Sequence, residues 1–68
     1  MTIIFSTREY QHEHGKAPKG YGYWGFEFEG LTCWEKGTLR DAKRMAMATI
    51  RKAAPAGYTG TVEVNILP

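Results

Sequence analysis

The chain lacks most of the residues that would mark an extracellular, membrane-bound or metal-dependent protein. Its single cysteine, Cys33, can form neither an internal disulfide nor a thiolate metal cluster, which is typical of a reducing cytoplasm. The N-terminus has no basic start or long apolar run of a signal peptide, and no window approaches the roughly 18 apolar residues of a membrane span. We therefore expect a soluble, cytoplasmic protein that does not associate with membranes.

The net charge of the chain is also small. A net charge of +2 is too small to indicate nucleic-acid binding by itself. The 68 residues predict a single domain, residues 1–68. A domain this small buries only about 60% of the surface that its unfolded chain exposes, so a homodimer or a partner would add stability. With 43% hydrophobic residues, however, the chain can build a core.

Four segments have the alternating or β-branched pattern of strands. The predicted strands are Thr2–Tyr10, Tyr23–Glu29, Leu31–Glu35 and Thr61–Leu67. Gly30 can turn the second strand into the third, but turns of two and of three residues give Trp34 different partners, so the register stays open. Gln11–Gly20 is polar, with two glycines and a proline, and predicts a mobile loop.

One helix is clearly delimited. It is predicted from Thr38, or the residue after it, to about Ala53. Thr38 is a typical N-cap, and Asp41 three residues later favours the positive end of the helix dipole. Pro55 disfavours helical geometry in the residue before it, and Ala56-Gly57 supplies a turn.

These elements predict an α+β fold in the order β-β-β-α-β, with a four-stranded antiparallel sheet and the helix packed on one face. The predicted core is Trp24, Phe26, Phe28, Val62, Val64 and Ile66 with Leu39, Ala42, Ala46 and Ile50. The opposite face of the sheet would carry Tyr23, Glu27, Glu29, Glu63 and Asn65. The molecule would thus have one acidic and one basic side.

The basic side is the outer face of the helix. At helical spacing, Arg40, Arg44, Met47 and Arg51 lie within roughly 60° of one another. Five basic residues against one acidic residue give the helical segment a charge of +4, and the rest of the chain carries −2. An apolar Met47 among arginines is typical of the centre of an interface. This surface predicts binding to a partner.

Other chemistries are weaker alternatives. His12 and His14 could share a metal ion, but three or four ligands are needed and the chain offers no further histidine or thiolate cluster. Cys33 as a nucleophile would need a nearby histidine base. Glu27 and Glu29 could form an acid pair but are typical of the solvated side of a sheet. We therefore predict no catalytic residue, no metal site and no cofactor, and do not expect an enzyme.

Aromatic strands near lysines can also stack single-stranded bases, as RNA-recognition sheets do. The candidates are Tyr21, Tyr23, Trp24, Lys16 and Lys19. Glutamates on the same strand argue against this, as does the expected core position of the tryptophan. The arginines of the helix are the better candidates for contacting phosphates.

Two segments carry a resemblance to known proteins. Thr38–Ala46, followed by Gly60–Val64, resembles the helix and last strand of small phage-encoded anti-CRISPR proteins that inhibit type I effector complexes, over roughly the C-terminal half. The capped helix and Pro55–Tyr58 are also similar to a small phage inhibitor of bacterial RNA polymerase. The resemblance implies a phage or mobile-element protein that acts in the host cytoplasm by occupying a host nucleic-acid machine.

On this implication the expected partner is a host protein or ribonucleoprotein complex, with a type I CRISPR effector favoured. The predicted contact residues are Arg40, Lys43, Arg44, Met47 and Arg51 on the helix, and His12, His14, Lys16 and Lys19 in the loop. Two alternatives stay open: the same arginines could bind nucleic acid directly, or the acidic sheet face could mimic a nucleic-acid backbone.

Overall fold

The computed structural model describes residues 1–55 and 57–68, which form an α+β fold with a four-stranded sheet and two helices. The strands are β1 (Thr2–Ser6), β2 (Tyr21–Phe28), β3 (Leu31–Thr38) and β4 (Thr61–Ile66), and the helices are α1 (Arg8–His14) and α2 (Leu39–Ala53). The predicted fold class is confirmed. The predicted order β-β-β-α-β is wrong, because a helix follows the first strand. Ala56, in the predicted turn after α2, lies outside the described residues.

The first strand is shorter than predicted and the following loop is partly helical. β1 ends at Ser6, and Gln11–His14, predicted as loop, belongs to α1. Glu9 lies in the first turn of α1, where its negative charge is favourable to the helix dipole. Gly15 closes α1 in the left-handed conformation, and its N–H donates to the Gln11 carbonyl. The β-branched residues at the start of the chain predicted a strand, and for this reason the helix that ends at Gly15 was missed.

The sheet is mixed, not antiparallel as predicted. Its strand order is β1-β4-β2-β3, and β4 runs parallel to β1 but antiparallel to β2. Ile3 lies beside Val62 and Phe5 beside Val64, so the apolar faces of the two parallel strands coincide. Alternation in the sequence determines which residues share a face, but it does not determine which strands are neighbours. The last strand therefore inserts between the first two.

The β2–β3 hairpin was predicted correctly, and the structure now gives its register. Phe28 pairs with Leu31, which leaves Glu29 and Gly30 as a two-residue turn. Both have positive φ, 47° and 79°, as a type I′ turn requires. Trp34 consequently lies across from Gly25.

α2 begins and ends as predicted. The Thr38 side chain accepts a hydrogen bond from the Asp41 N–H at 3.2 Å, which caps the helix. The helix packs through its alanines on the sheet, and the buried core is Trp24, Phe26, Phe28, Ala42, Ala46, Ile50, Val64 and Ile66. Leu39 and Val62, also predicted as core, are partly buried against it. The other face of the sheet is open.

Candidate partner-binding surfaces

The outer face of α2 is cationic, as predicted. Arg40, Arg44, Arg51 and Lys52 are all exposed. Among the described residues, the single ion pair within 4.0 Å joins Arg44 Nη2 to Asp41 Oδ1 at 3.0 Å. Such an exposed pair stabilises a helix by only a few tenths of a kcal/mol. Its main consequence is to orient the Arg44 guanidinium along the helix.

Two predicted contact residues of α2 are less available than expected. The Lys43 ammonium lies 5.3 Å from the centroid of the Phe5 ring, a distance typical of a cation–π contact. Lys43 therefore turns back toward β1. Met47, predicted as an exposed interface centre, is half-buried, whereas Met45 is 41% exposed. The large exposed apolar side chain of α2 is thus Met45, and Arg40, Arg44 and Arg51 remain the exposed part of the predicted set.

The four predicted contact residues outside α2 lie on α1 and the segment after it. His12 and His14 are on α1, Lys16 and Lys19 follow it, and all four are exposed. The His14 ring stacks on Tyr10 with centroids 4.2 Å apart. Tyr10 in turn packs against Trp24, with ring centroids 5.7 Å apart. The stack gives His14 a fixed position that a flexible loop would not provide.

The acidic residues of the open sheet face are dispersed. Asn65 Nδ2 donates to Glu27 Oε1 at 3.3 Å, so this carboxylate has a partner within the sheet. Glu63 is exposed and lies beside Ile4 of β1. Glu29, predicted on this face, is in the hairpin turn. The predicted acidic face is therefore smaller than the sequence indicated.

A cluster of exposed rings lies on the open face, and of its three residues only Trp34 was not among the stacking candidates predicted from the sequence. Tyr21, Tyr23 and Trp34, which we call the aromatic platform, are 71%, 63% and 49% exposed. The Tyr23 and Trp34 rings stack with centroids 5.4 Å apart and an interplanar angle of 18°. The open register hid this cluster, because only a two-residue turn brings Trp34 to the face that carries Tyr23. Trp24, which the sequence offered as a stacking candidate but predicted as core, is in the core.

The aromatic platform borders a cleft of about 330 Å³. In the described chain, β4 pairs with β2 only at Phe26 and Glu27, and the Leu67 N–H adds one bond to the Gly25 carbonyl. The N-terminal half of β2 thus extends past β4 and forms a wall of the cleft. The lining residues are Tyr10, His14, Lys19, Tyr21, Gly22, Tyr23, Trp24, Trp34, Leu67 and Pro68. Its walls are aromatic, and the one fully charged side chain among them is basic.

Cys33 and the possible metal ligands are the remaining candidates for reactive chemistry. Cys33 lies in β3 beside Phe26, and burial, with Glu35 second, raises the pKa of its thiol above 9.0. The neutral thiol is therefore the dominant form at neutral pH. Within residues 1–55 and 57–68, no three His, Cys, Asp or Glu side chains are grouped closely enough to hold a metal ion.

In the same residues, neither helix combines the length and the apolar character needed to cross a membrane. No protein-family model matches the chain, and no curated protein or solved structure is significantly similar to it.

Proposed function

We propose that this protein is a binding protein of the host cytoplasm that inhibits a larger host machine by occupying its surface through α2. The observation that carries the proposal is the charge arrangement on α2. Arg40, Arg44 and Arg51 are exposed along one face of a helix whose opposite face is packed on the sheet. A line of arginines on a fixed scaffold suits acidic protein surfaces and phosphate groups, because guanidinium binds carboxylate and phosphate through paired hydrogen bonds.

The rigidity of α2 supports this role. Its N-terminus is capped by Thr38, and Ala42, Ala46 and Ile50 are fully buried between helix and sheet. Alanine allows the helix backbone to approach the sheet closely, so the arginines project from a firmly packed element. Binding through side chains that project from an ordered backbone loses less conformational entropy than binding through a loop.

The resemblance described above directs the proposal toward an anti-CRISPR protein of a phage or mobile element. In this mechanism the chain binds a type I effector complex stoichiometrically and blocks target-DNA binding or a later conformational step. Bacterial RNA polymerase is the second target that the resemblance offers.

A direct nucleic-acid-binding module is the alternative function. It is favoured by the length of the arginine row, since the eleven residue steps from Arg40 to Arg51 span about 16 Å of helix. Such a row can contact several successive phosphates of a duplex. The two functions differ in salt dependence, because phosphate binding releases counterions and weakens steeply with added salt.

The experiment that tests the proposal measures target-DNA binding by a purified type I effector complex in the presence of this protein. The wild type is expected to abolish the shift of labelled target DNA once it reaches stoichiometric amounts. Arg40→Glu with Arg51→Glu should remove the inhibition; these two arginines are chosen because reversing Arg44 would also break its pair with Asp41.

The matched control is Glu27→Lys with Glu63→Lys on the open sheet face, which should inhibit like the wild type. Inhibition lost only in this control would overturn the proposal in favour of nucleic-acid mimicry by the acidic residues. Inhibition absent from the wild type would exclude the effector as target. Binding of the wild type to free duplex, with a steep salt dependence, would establish the alternative.

A further inference from the structure

The aromatic platform is the feature of the molecule that the proposed function does not use. α2 packs on the face of the sheet that carries Trp24, Phe26 and Phe28. Tyr23 and Trp34 project from the opposite face, because neighbouring residues of a strand point to opposite sides. A ligand of the platform would therefore leave α2 free.

The platform is built into the fold and is not a chance exposure of rings. A Cβ atom at Gly25 would lie only 2.6 Å from Trp34 ring atoms, so the absent side chain makes the space in which the indole rests. The stack with the Tyr23 ring also holds the Trp34 ring in position. These rings keep about half or more of their surface in water, so much of their apolar area is still available to be buried by a ligand. Such rings are typical of a surface that a ligand covers.

The charges around the platform indicate the kind of ligand. Lys36 lies directly across from Tyr23 on the neighbouring strand, and Lys19 lines the adjoining cleft. Glu35, next to Lys36 in the chain, points to the other face of the sheet. Glu27, the nearest acidic residue on the platform's face, already accepts a hydrogen bond from Asn65. Exposed rings bordered by ammonium groups suit a ligand that alternates flat apolar groups with negative charges.

We propose that the aromatic platform binds single-stranded nucleic acid. Bases stack on Tyr21, Tyr23 and Trp34, while phosphates contact Lys36 and Lys19. Stacking on rings tolerates any base, so binding is expected to show little sequence preference. This site is independent of α2, so the platform and the proposed inhibitory function can fail separately.

The test measures the anisotropy of a fluorescein-labelled oligothymidylate of about 12 nucleotides as the protein is added at low salt. The wild type is expected to bind it, and to bind a duplex of the same length more weakly. Trp34→Ala and Tyr23→Ala should each weaken binding about tenfold or more, while Trp34→Phe retains most of it. Lys36→Ala should weaken binding and reduce its salt dependence by less than one unit of the log–log slope.

The controls separate the platform from other surfaces. Tyr58→Ala removes a comparably exposed tyrosine outside the cluster, and Arg40→Glu with Arg51→Glu alters α2; both should bind the oligonucleotide within about twofold of the wild type. Circular dichroism establishes that each variant folds, and the Trp34→Phe result separates lost stacking from a disturbed sheet.

Three outcomes would overturn the proposal. The first is a wild type that does not bind the single strand at low salt. The second is a loss of binding in the α2 variant equal to that in Trp34→Ala. The third is a wild type that sediments as a dimer and becomes monomeric in Trp34→Ala, which would mean that a second copy of the chain covers the platform.

Discussion

The Trp34 ring occupies the space that a side chain at Gly25 would need. These residues are cross-strand partners in the β2–β3 hairpin, and an added Cβ at Gly25 would meet three atoms of the indole at 2.6–2.9 Å. Glycine is costly within a strand, so its presence here has a packing reason. The two-residue turn of the hairpin places Trp34 across from Gly25, and this position brings Trp34 into the ring cluster on the open face.

Gly25→Ala should displace the Trp34 ring and destabilise the protein by about 1–3 kcal/mol, as overpacking does. Because Trp34 is half exposed, its ring can move into solvent, so we expect a loss at the lower end of this range. The tryptophan fluorescence emission should shift to the red. Gly22→Ala is the matched control, since its Cβ would meet Trp24 atoms at an ordinary 3.7 Å. Equal effects of the two substitutions on the urea midpoint would contradict the described packing of the Trp34 ring on Gly25.

Glu29→Asn should stabilise the hairpin. Glu29 has φ of 47°, a left-handed conformation that asparagine adopts more easily than glutamate, and Gly30 after it completes the preferred Asn-Gly sequence of a type I′ turn. The expected gain is about 0.5–1 kcal/mol in the free energy of unfolding, measured by urea denaturation. Glu29→Gln removes the charge but keeps the strain, so it should give little gain; a gain equal to that of asparagine would point to charge as the cause.

Thr38→Ala should shorten or fray α2 at its start. The substitution removes the acceptor for the Asp41 N–H and costs about 1 kcal/mol in the free energy of unfolding. Thr38→Ser keeps a hydroxyl oxygen at the same position and should retain nearly full stability. A serine variant as unstable as the alanine variant would show that the threonine acts as the last residue of β3 and not as a helix cap.

Alkaline pH should destabilise the wild type more than a Cys33→Ala variant. Burial, and then Glu35, raise the pKa of the Cys33 thiol in the folded chain above its ordinary value of 9.0. The folded state therefore holds this proton more tightly than the unfolded state. The resulting stabilisation is complete below pH 9.0 and is lost as pH rises through the folded pKa.

The measurement is the Tm of both proteins from neutral pH to about one unit above 9.0. As pH rises, the Tm of the wild type should fall more than the Tm of the alanine variant, since the other titrating groups are common to both proteins. Parallel Tm curves would exclude a raised pKa at Cys33.

The sequence predicted those elements whose signals are local. Thr38, Asp41 and Pro55 delimited α2 correctly, and alternating residues placed Phe26 and Val64 in the core. α1 was missed because the chain passes directly from β-branched residues to Arg8, and only Gly15 marks its end. The position of β4 between β1 and β2 depends on pairing between distant residues, which no local pattern specifies.

The candidate sites divide in the same way. The exposure of Arg40, Arg44 and Arg51 followed from helical periodicity. Helical periodicity did not predict the half-burial of Met47, because a position at the edge of the packed face is covered in part by its neighbours. The aromatic platform required the hairpin register, which depends on one turn.

The most direct test of partner binding through α2 is affinity purification of the tagged protein from bacterial lysate, with and without nuclease, alongside Arg40→Glu with Arg51→Glu. We expect mass spectrometry to identify a stoichiometric protein partner, a CRISPR effector above all, that persists after nuclease treatment and is absent from the variant. A partner that disappears with nuclease, or one that the variant retains in equal amount, would contradict protein-directed binding through α2.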